Sequence, residues 1–306
     1  MTENIYQARA YFPRGLSQPE GTFRFSIDAL LLASFARYPS GKQGPNAKES
    51  IKQGVKQSAK KEKPVNMADL GTGCGVVGLA YCLLHEHVMG AGFEIEASLV
   101  EAAHSNAQSL GLEERFRVVQ ADMAQLWAAK NKNAAHGAAK NEDAAHGAAK
   151  NENATHGTMI QKASYDIVLS NPPYRLPQSG RAAATLERQQ ALFETSGTLQ
   201  DFVGTASKLL RNLGHFNIIY GAARLPDLLI ALREAKLEPK RLRMVHSYMD
   251  SPARLVLVEA MRGAKPDLIV EPPLILYEPT NKNTHPSTRH YTPEALTFCP
   301  FLSCNA

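Results

Sequence analysis

Val65-Asn66-Met67-Ala68-Asp69-Leu70-Gly71-Thr72-Gly73-Cys74-Gly75-Val76-Val77-Gly78-Leu79-Ala80 is the stretch on which the reading of the fold turns. The apolar-rich run into Leu70 reads as a buried strand, the glycines as a tight turn and the residues from Val76 as a helix. That is the unit at which an α/β sheet opens to a ligand. Gly71, Gly73 and Gly75 carry no Cβ, so backbone here can turn sharply and pass close to a bound molecule, with the free N–H groups of the following helix aimed at it. Gly73-x-Gly75-x-x-Gly78 satisfies the dinucleotide pattern G-x-G-x-x-G, which alone is a weak signal.

Further along, Tyr165-Asp166-Ile167-Val168-Leu169-Ser170 reads as another buried strand and runs into Asn171-Pro172-Pro173-Tyr174. Taken plainly, this corner is a rigid loop with an aromatic plug, since Asn-Pro and Pro-Pro are ordinary turn signals. Together the two stretches carry a resemblance. Asp69-Leu70-Gly71-Thr72-Gly73-Cys74-Gly75 resembles motif I of the class I S-adenosylmethionine (SAM) methyltransferases, and a strand ending in Asn-Pro-Pro-Tyr resembles motif IV of the enzymes that methylate amino groups. The resemblance implies a Rossmann-like α/β fold, a seven-stranded sheet with helices on both faces, and SAM as cofactor. Asp69, Gly71, Thr72, Gly73 and Gly75 then lie against the amino-acid end of SAM.

The second motif implies the chemistry. An exocyclic or amide nitrogen is a poor nucleophile because its lone pair is delocalised. Hydrogen bonds from its N–H groups to the Asn171 side-chain carbonyl and to a backbone carbonyl of the Pro172-Pro173 turn favour a tetrahedral nitrogen facing the methyl group, and Tyr174 stacks on the planar acceptor. Asn171 thus belongs to the catalytic and the cofactor sets alike.

A chain of 306 residues with 44% hydrophobic residues can bury a substantial core. No apolar run approaches the roughly 20 residues needed to span a bilayer, and Met1-Thr2-Glu3-Asn4 does not begin a charged-then-apolar signal, so the expectation is a cytoplasmic enzyme. The four cysteines fit neither a disulfide framework nor a zinc site, and no metal is expected. A net charge of +5 suits a polyanionic substrate, although much of the lysine lies in one stretch.

Taken in order, residues 1–20 read as irregular. Ile27, Leu30, Leu31 and Phe35 fall at helical spacing with Ser26 as N-cap. Asp28, beside this apolar stripe, is either a solvated first-turn acid or a contact to the SAM amino acid or target base. Residues 39–64 turn to Lys, Gln, Ser and Gly and read as a disordered basic insertion, a linker or a tether along RNA. Then strand and helix alternate: a helix at 76–87, a strand at 89–95, a helix at 97–110 closed by Gly111, and a strand at 116–120. An acid after the second strand can accept both ribose hydroxyls of a nucleoside; Glu94 is the first choice and Glu96 the second. Asp122 follows the third strand, where the superfamily places an acid for the adenine amino group; a helix N-cap is the plainer role, and both can hold.

A ten-residue repeat, Asn131 to Lys140, recurs as Asn141 to Lys150 and decays over 151–160. His136, His146 and His156 recur with it, but small polar residues without apolar period do not fix metal ligands, so 128–162 reads as a low-complexity loop. Arg175, Arg181 and Arg188 follow the Asn-Pro-Pro-Tyr corner and suit either phosphate contact or a solvated loop. A helix at 199–213, strands at 215–220, 241–245 and 254–260, and a helix at 225–235 complete the pattern, with the last two strands antiparallel neighbours. Of the tail, only Leu274-Ile275-Leu276-Tyr277 looks strand-like. The division is an N-terminal segment at 1–38, the insertion at 39–64, a methyltransferase domain at 65–277 and a tail at 278–306.

The chain as a whole resembles the bacterial tRNA adenine-N6 methyltransferases that modify the adenosine 3′ of the anticodon in a valine tRNA. Beyond the two motifs, the resemblance is carried by Phe25-Ser26-Ile27-Asp28-Ala29-Leu30-Leu31-Leu32, Gly92 to Glu96, Leu237 to Arg243, Ser251 to Ala260 and Pro272 to Tyr277. It implies a tRNA substrate; a monomer is the working expectation, with the oligomeric state left open. The glutamine N5-methyltransferases of release factors share Asn-Pro-Pro-Tyr, but resemble a chain with a separate helical domain before motif I. Other rRNA or DNA adenine-N6 methyltransferases, and an RNA-binding protein on a methyltransferase scaffold, are the remaining alternatives.

Overall fold

The computed structural model describes residues 3–22, 25–39, 64–123, 125, 162–173, 197–279 and 289–305. Tyr174, the arginines at 175, 181 and 188, nearly all of the 39–64 stretch and the histidine repeat lie outside the described residues.

The centre is one sheet in the order β3-β2-β1-β4-β5-β7-β6-β8, with β9 also on β6. Its strands are β1 (Val65–Leu70), β2 (Val88–Glu94), β3 (Phe116–Gln120), β4 (Tyr165–Ser170), β5 (Leu210–Gly221), β6 (Leu237–His246), β7 (Ala253–Arg262), β8 (Ile269–Val270) and β9 (Leu274–Ile275). All are parallel except β7, which runs against both β5 and β6. Helices cover both faces, so the inner strands are apolar nearly throughout instead of alternating. On one face lie α1 (Glu3–Tyr11), α2 (Ile27–Phe35), α3 (Val76–Leu84), α4 (Ala97–Ser109) and α7 (Pro293–Phe298); on the other lie α5 (Leu199–Leu209) and α6 (Leu225–Glu234).

The expected seven strands are present, with two short ones added. β8 and β9 form a single edge strand along β6, broken where Pro272 and Pro273 offer no N–H to the ladder. Two other expectations are corrected. Residues 1–20 are not wholly irregular, for α1 occupies Glu3–Tyr11; it buries no residue and so leaves no apolar period to read. It is fastened instead by Arg9, which donates to the carbonyls of Leu110 and Gly111 at 2.8 and 3.2 Å, at the open end of α4. The helix expected to reach residue 213 stops at Leu209, and β5 begins at Leu210. Leu213 then takes a left-handed φ of 58°, and the ladder to β4 skips from Leu210 to His215.

α2 is nine residues long, too short to be stable alone. Burial of Leu30, Leu31, Leu32 and Phe35 contributes about 1.5–3 kcal/mol each. Its lower end is held by charge. Arg241 on β6 donates to the Phe35 carbonyl at 2.7 Å, stacks 3.7 Å from that ring's centroid, and pairs with Glu259 at 2.7 Å. His215 Nδ1 lies 2.6 Å from the other Glu259 oxygen. Burial pushes the Glu259 carboxyl up, but the His215 hydrogen bond and the Arg241 charge outweigh it and hold it at about 2.

Candidate active site

β1, β2, β3 and β4 end together. Leu70 is level with Phe93 and with Ser170, and Glu94 with Gln120. The glycine turn, Glu94, Asp122 and Asn171 therefore follow one another along a single rim, with Gly73 and Asn171 beyond adjacent strands. Ser170 Oγ donates to the Leu70 carbonyl at 3.1 Å and ties the two strand ends together.

The turn is anchored twice. The N–H groups of Gly71 and Thr72 both donate to the Phe93 carbonyl, at 2.9 and 3.0 Å. Asp69, fully buried, reaches across with Oδ2 to accept from Thr72 Oγ1 at 2.6 Å and from the Gly78 N–H at 2.9 Å. It caps α3 from a distance, because Gly75 at the N-cap has no side chain to do so. Burial pushes the Asp69 carboxyl up to about 6 in spite of these two bonds.

Two glycines here act for different reasons. Gly73 has φ +57° with open space where a Cβ would stand, so the backbone conformation alone requires it. Gly78 has an ordinary φ, but a Cβ there would meet the Phe116 ring at 2.2 Å; it lets α3 lie close on the sheet.

Glu94 is buried against the turn. Its Oε2 accepts from the Gly73 N–H at 2.9 Å, and its Oε1 from the N–H groups of Ile95 and Glu96 at 2.9 and 3.1 Å. Burial pushes this carboxyl up, while the three backbone bonds pull it down. Glu96 is half-buried and takes Ser98 Oγ at 2.7 Å, away from the turn. Asp122 is half-buried past the end of β3, where the Ala121 N–H donates to the Glu94 carbonyl at 2.7 Å. Asp28 is buried in the first turn of α2. Tyr81, toward the lower end of α3, donates to the Arg37 carbonyl just beyond α2 at 3.2 Å, so the two helices descend together and the Asp28 end stands toward the rim. Asn171 and Pro173 are half-buried and Pro172 is buried.

One supporting residue gives little sign of itself in the sequence. Asn106, buried in α4, accepts from the Ser17 N–H at 2.6 Å and donates to the carbonyls of Ser17 and Cys74 at 3.0 and 2.9 Å. It joins the N-terminal segment to the back of the glycine turn. Its only signal is a polar residue on the apolar face of an amphipathic helix.

The donor set has a definite character. Asp69, Glu94, Glu96 and Asp122 gather on the rim from β1 to β3, and the stretches Asp69–Gly75, Glu94–Glu96 and Ala121–Met123 contain no Lys or Arg. The Gly73 N–H, which a dinucleotide site would leave for a pyrophosphate, is already taken by a carboxylate. Such a set suits a cationic ligand with a diol, not a polyphosphate. Among the described residues no group of three His, Cys, Asp or Glu could hold a metal ion, and no helix is long and apolar enough to cross a membrane.

No protein-family model matches the chain. Two proteins named tRNA1(Val) (adenine(37)-N6)-methyltransferase, from two strains of Porphyromonas gingivalis, are each 24% identical to it. One match runs over 282 residues, covering 91% of this chain and 88% of the relative, and the other over 234 residues, 76% of each. A predicted O-methyltransferase of Agrobacterium tumefaciens, 18% identical, superposes with a TM-score of 0.56 over 90% of this chain and 96% of that one. The chain thus has the Rossmann-like α/β fold of the class I methyltransferases.

Proposed function

We propose that this chain is a SAM-dependent methyltransferase that methylates N6 of an adenine in tRNA. The observation that carries the reading is the pairing, on adjacent strand ends, of an acid-lined glycine turn with the Asn171-Pro172-Pro173 corner. The names of the two 24%-identical relatives support the tRNA adenine as acceptor.

In this reading Glu94 accepts from the ribose hydroxyls, Asp122 from the adenine amino group, and Asp28 faces the cofactor's amino-acid end or the target base. Asp69 holds the shape of the Gly71–Gly75 turn. The cofactor supplies an electrophilic methyl on a sulfonium. Asn171 Oδ1 and the carbonyl of Pro172 take the two N–H bonds of the incoming amine, drawing its lone pair out of the ring and toward that methyl. A flipped-out base is needed to reach the corner. The methylated nitrogen is acidic and loses its proton to water, so the chain need not provide a strong base. Asn-Pro-Pro would serve a glutamine amide in the same way.

The test incubates the protein with methyl-labelled SAM and either unmodified tRNA or a peptide-chain release factor. Label recovered as N6-methyladenine supports the proposal. Label on glutamine replaces the acceptor, and SAM bound without transfer to either leaves a binding scaffold.

A further inference from the structure

We infer that the turn at 247–251 and the tyrosines behind it form a stacking platform for nucleotides flanking the target base; this rests on the RNA substrate proposed above. β6 is parallel to β5, and β9 to β6. Tyr248, two residues past β6, and Tyr277, two past β9, therefore stand on the rim that carries Asn171. With β5 and β7 between them, β4 and β6 are three strand spacings apart. At roughly 4.8 Å each that is about 14 Å, or about four nucleotides stacked at a rise of 3.4 Å.

The turn is rigidly built. Ser251 donates to the Tyr248 carbonyl from its N–H at 3.1 Å and its Oγ at 2.7 Å, the Tyr248 N–H donates to Ser251 Oγ at 2.9 Å, and His246 Nδ1 lies 2.7 Å from the Ser251 carbonyl. So braced, it displays Met249 at 81% exposure beside the half-buried Tyr248. Behind it, the Tyr277 ring lies 5.8 Å from Tyr248 and stacks on Tyr291 at 5.1 Å and 25°, with the Arg289 guanidinium 5.5 Å from its centroid.

The Tyr277–Tyr291 pair has a structural task, since a β-bridge between these residues ties the C-terminal segment to the sheet. Tyr248 and Met249 take no part in that bridge. A fixed turn that holds a methionine in water next to an aromatic array suits a flat apolar partner, and every base has such a face. Arg254 and Arg289 are exposed at this corner, but so are Asp250 and Glu278, so stacking and not net charge must carry the contact.

The experiment titrates the full chain with unmodified tRNA by fluorescence anisotropy and with SAM by calorimetry. Tyr248→Ala is expected to raise the tRNA Kd roughly 5- to 100-fold and Tyr248→Phe to keep it within about 2-fold. Met249→Ser, too exposed to unfold the chain, raises it about 2- to 10-fold. The SAM Kd stays the same throughout. Unchanged tRNA affinity in both Tyr248→Ala and Met249→Ser overturns the platform and leaves the substrate assignment standing. A wild-type chain that retains no tRNA and methylates a release factor overturns both.

Discussion

Replacing Glu94 by Gln separates the two tasks assigned to this carboxylate. In the ligand-free chain one oxygen takes the N–H groups of Ile95 and Glu96, and the other the N–H of Gly73. The carbonyl of the introduced amide can keep the first pair, but its NH2 group then points at the Gly73 N–H, donor against donor. Loss of one charge-assisted bond costs about 1.5–3 kcal/mol, which in a chain of this size lowers Tm by roughly 2–5 °C. If Glu94 also receives two ribose hydroxyls, the loss of its charge weakens each bond by about 1–1.5 kcal/mol, and the SAM Kd rises roughly 30- to 150-fold. Calorimetric titration of SAM and a thermal melt of the ligand-free protein read the two effects apart. A lowered Tm with a SAM Kd within about twofold of wild type would reduce Glu94 to a brace for the turn and refute its ribose role. No change in either would refute the hydrogen-bond reasoning itself.

Asn171→Ala should lower kcat by about 10²-fold or more with only a few-fold loss of SAM affinity, since in the proposed mechanism its bonds go to the acceptor nitrogen; equal turnover in steady-state assays would remove the corner from the mechanism. Asp69 titrates near 6 when folded against an ordinary 3.8, so its contribution to stability is full below about pH 4 and is lost as pH rises through 6, a span of about 3 kcal/mol. Urea midpoints of the ligand-free protein should show this slope between about pH 4 and 6 and level off above it, and Asp69→Asn should flatten it. A nearby cation favours the charged acid, so SAM binding near pH 6 should release protons, seen as a buffer-dependent heat in calorimetry. Gly78→Ala should cost about 1–3 kcal/mol by forcing the buried Phe116 ring aside, measured by denaturant unfolding.

What the sequence discloses follows burial. β1 and β4, each flanked by strands on both sides, have the bounds that their apolar runs suggest, and so has β3 at the sheet's edge, where Phe116, Val118 and Val119 are buried. Strand alternation does not separate Glu94 from Glu96, which are two residues apart; the end of β2 at Glu94 does, and there Glu94 receives the Gly73 N–H while Glu96 takes Ser98 Oγ. Elements without a buried face are the ones that escape. α1 buries no residue and hangs mainly on Arg9 at the end of another helix, and β8 is two exposed residues long, whereas β9, which buries Leu274, lies within the strand-like run at 274–277. The beginning of β5 depends on Leu213 adopting a conformation that its side chain disfavours. Asn106 matters through partners 32 and 89 residues away, which no local pattern encodes.

The interrupted strand along β6 bears on how the chain behaves in a crowded solution. Leu268, Ile269 and Val270 are 43–65% exposed at the outermost edge of the mixed sheet, the kind of border on which a second chain could add a strand and start an aggregate. Because Pro272 and Pro273 follow one residue later and offer no N–H, the ladder breaks there, and the greasy border is too short to act as a template.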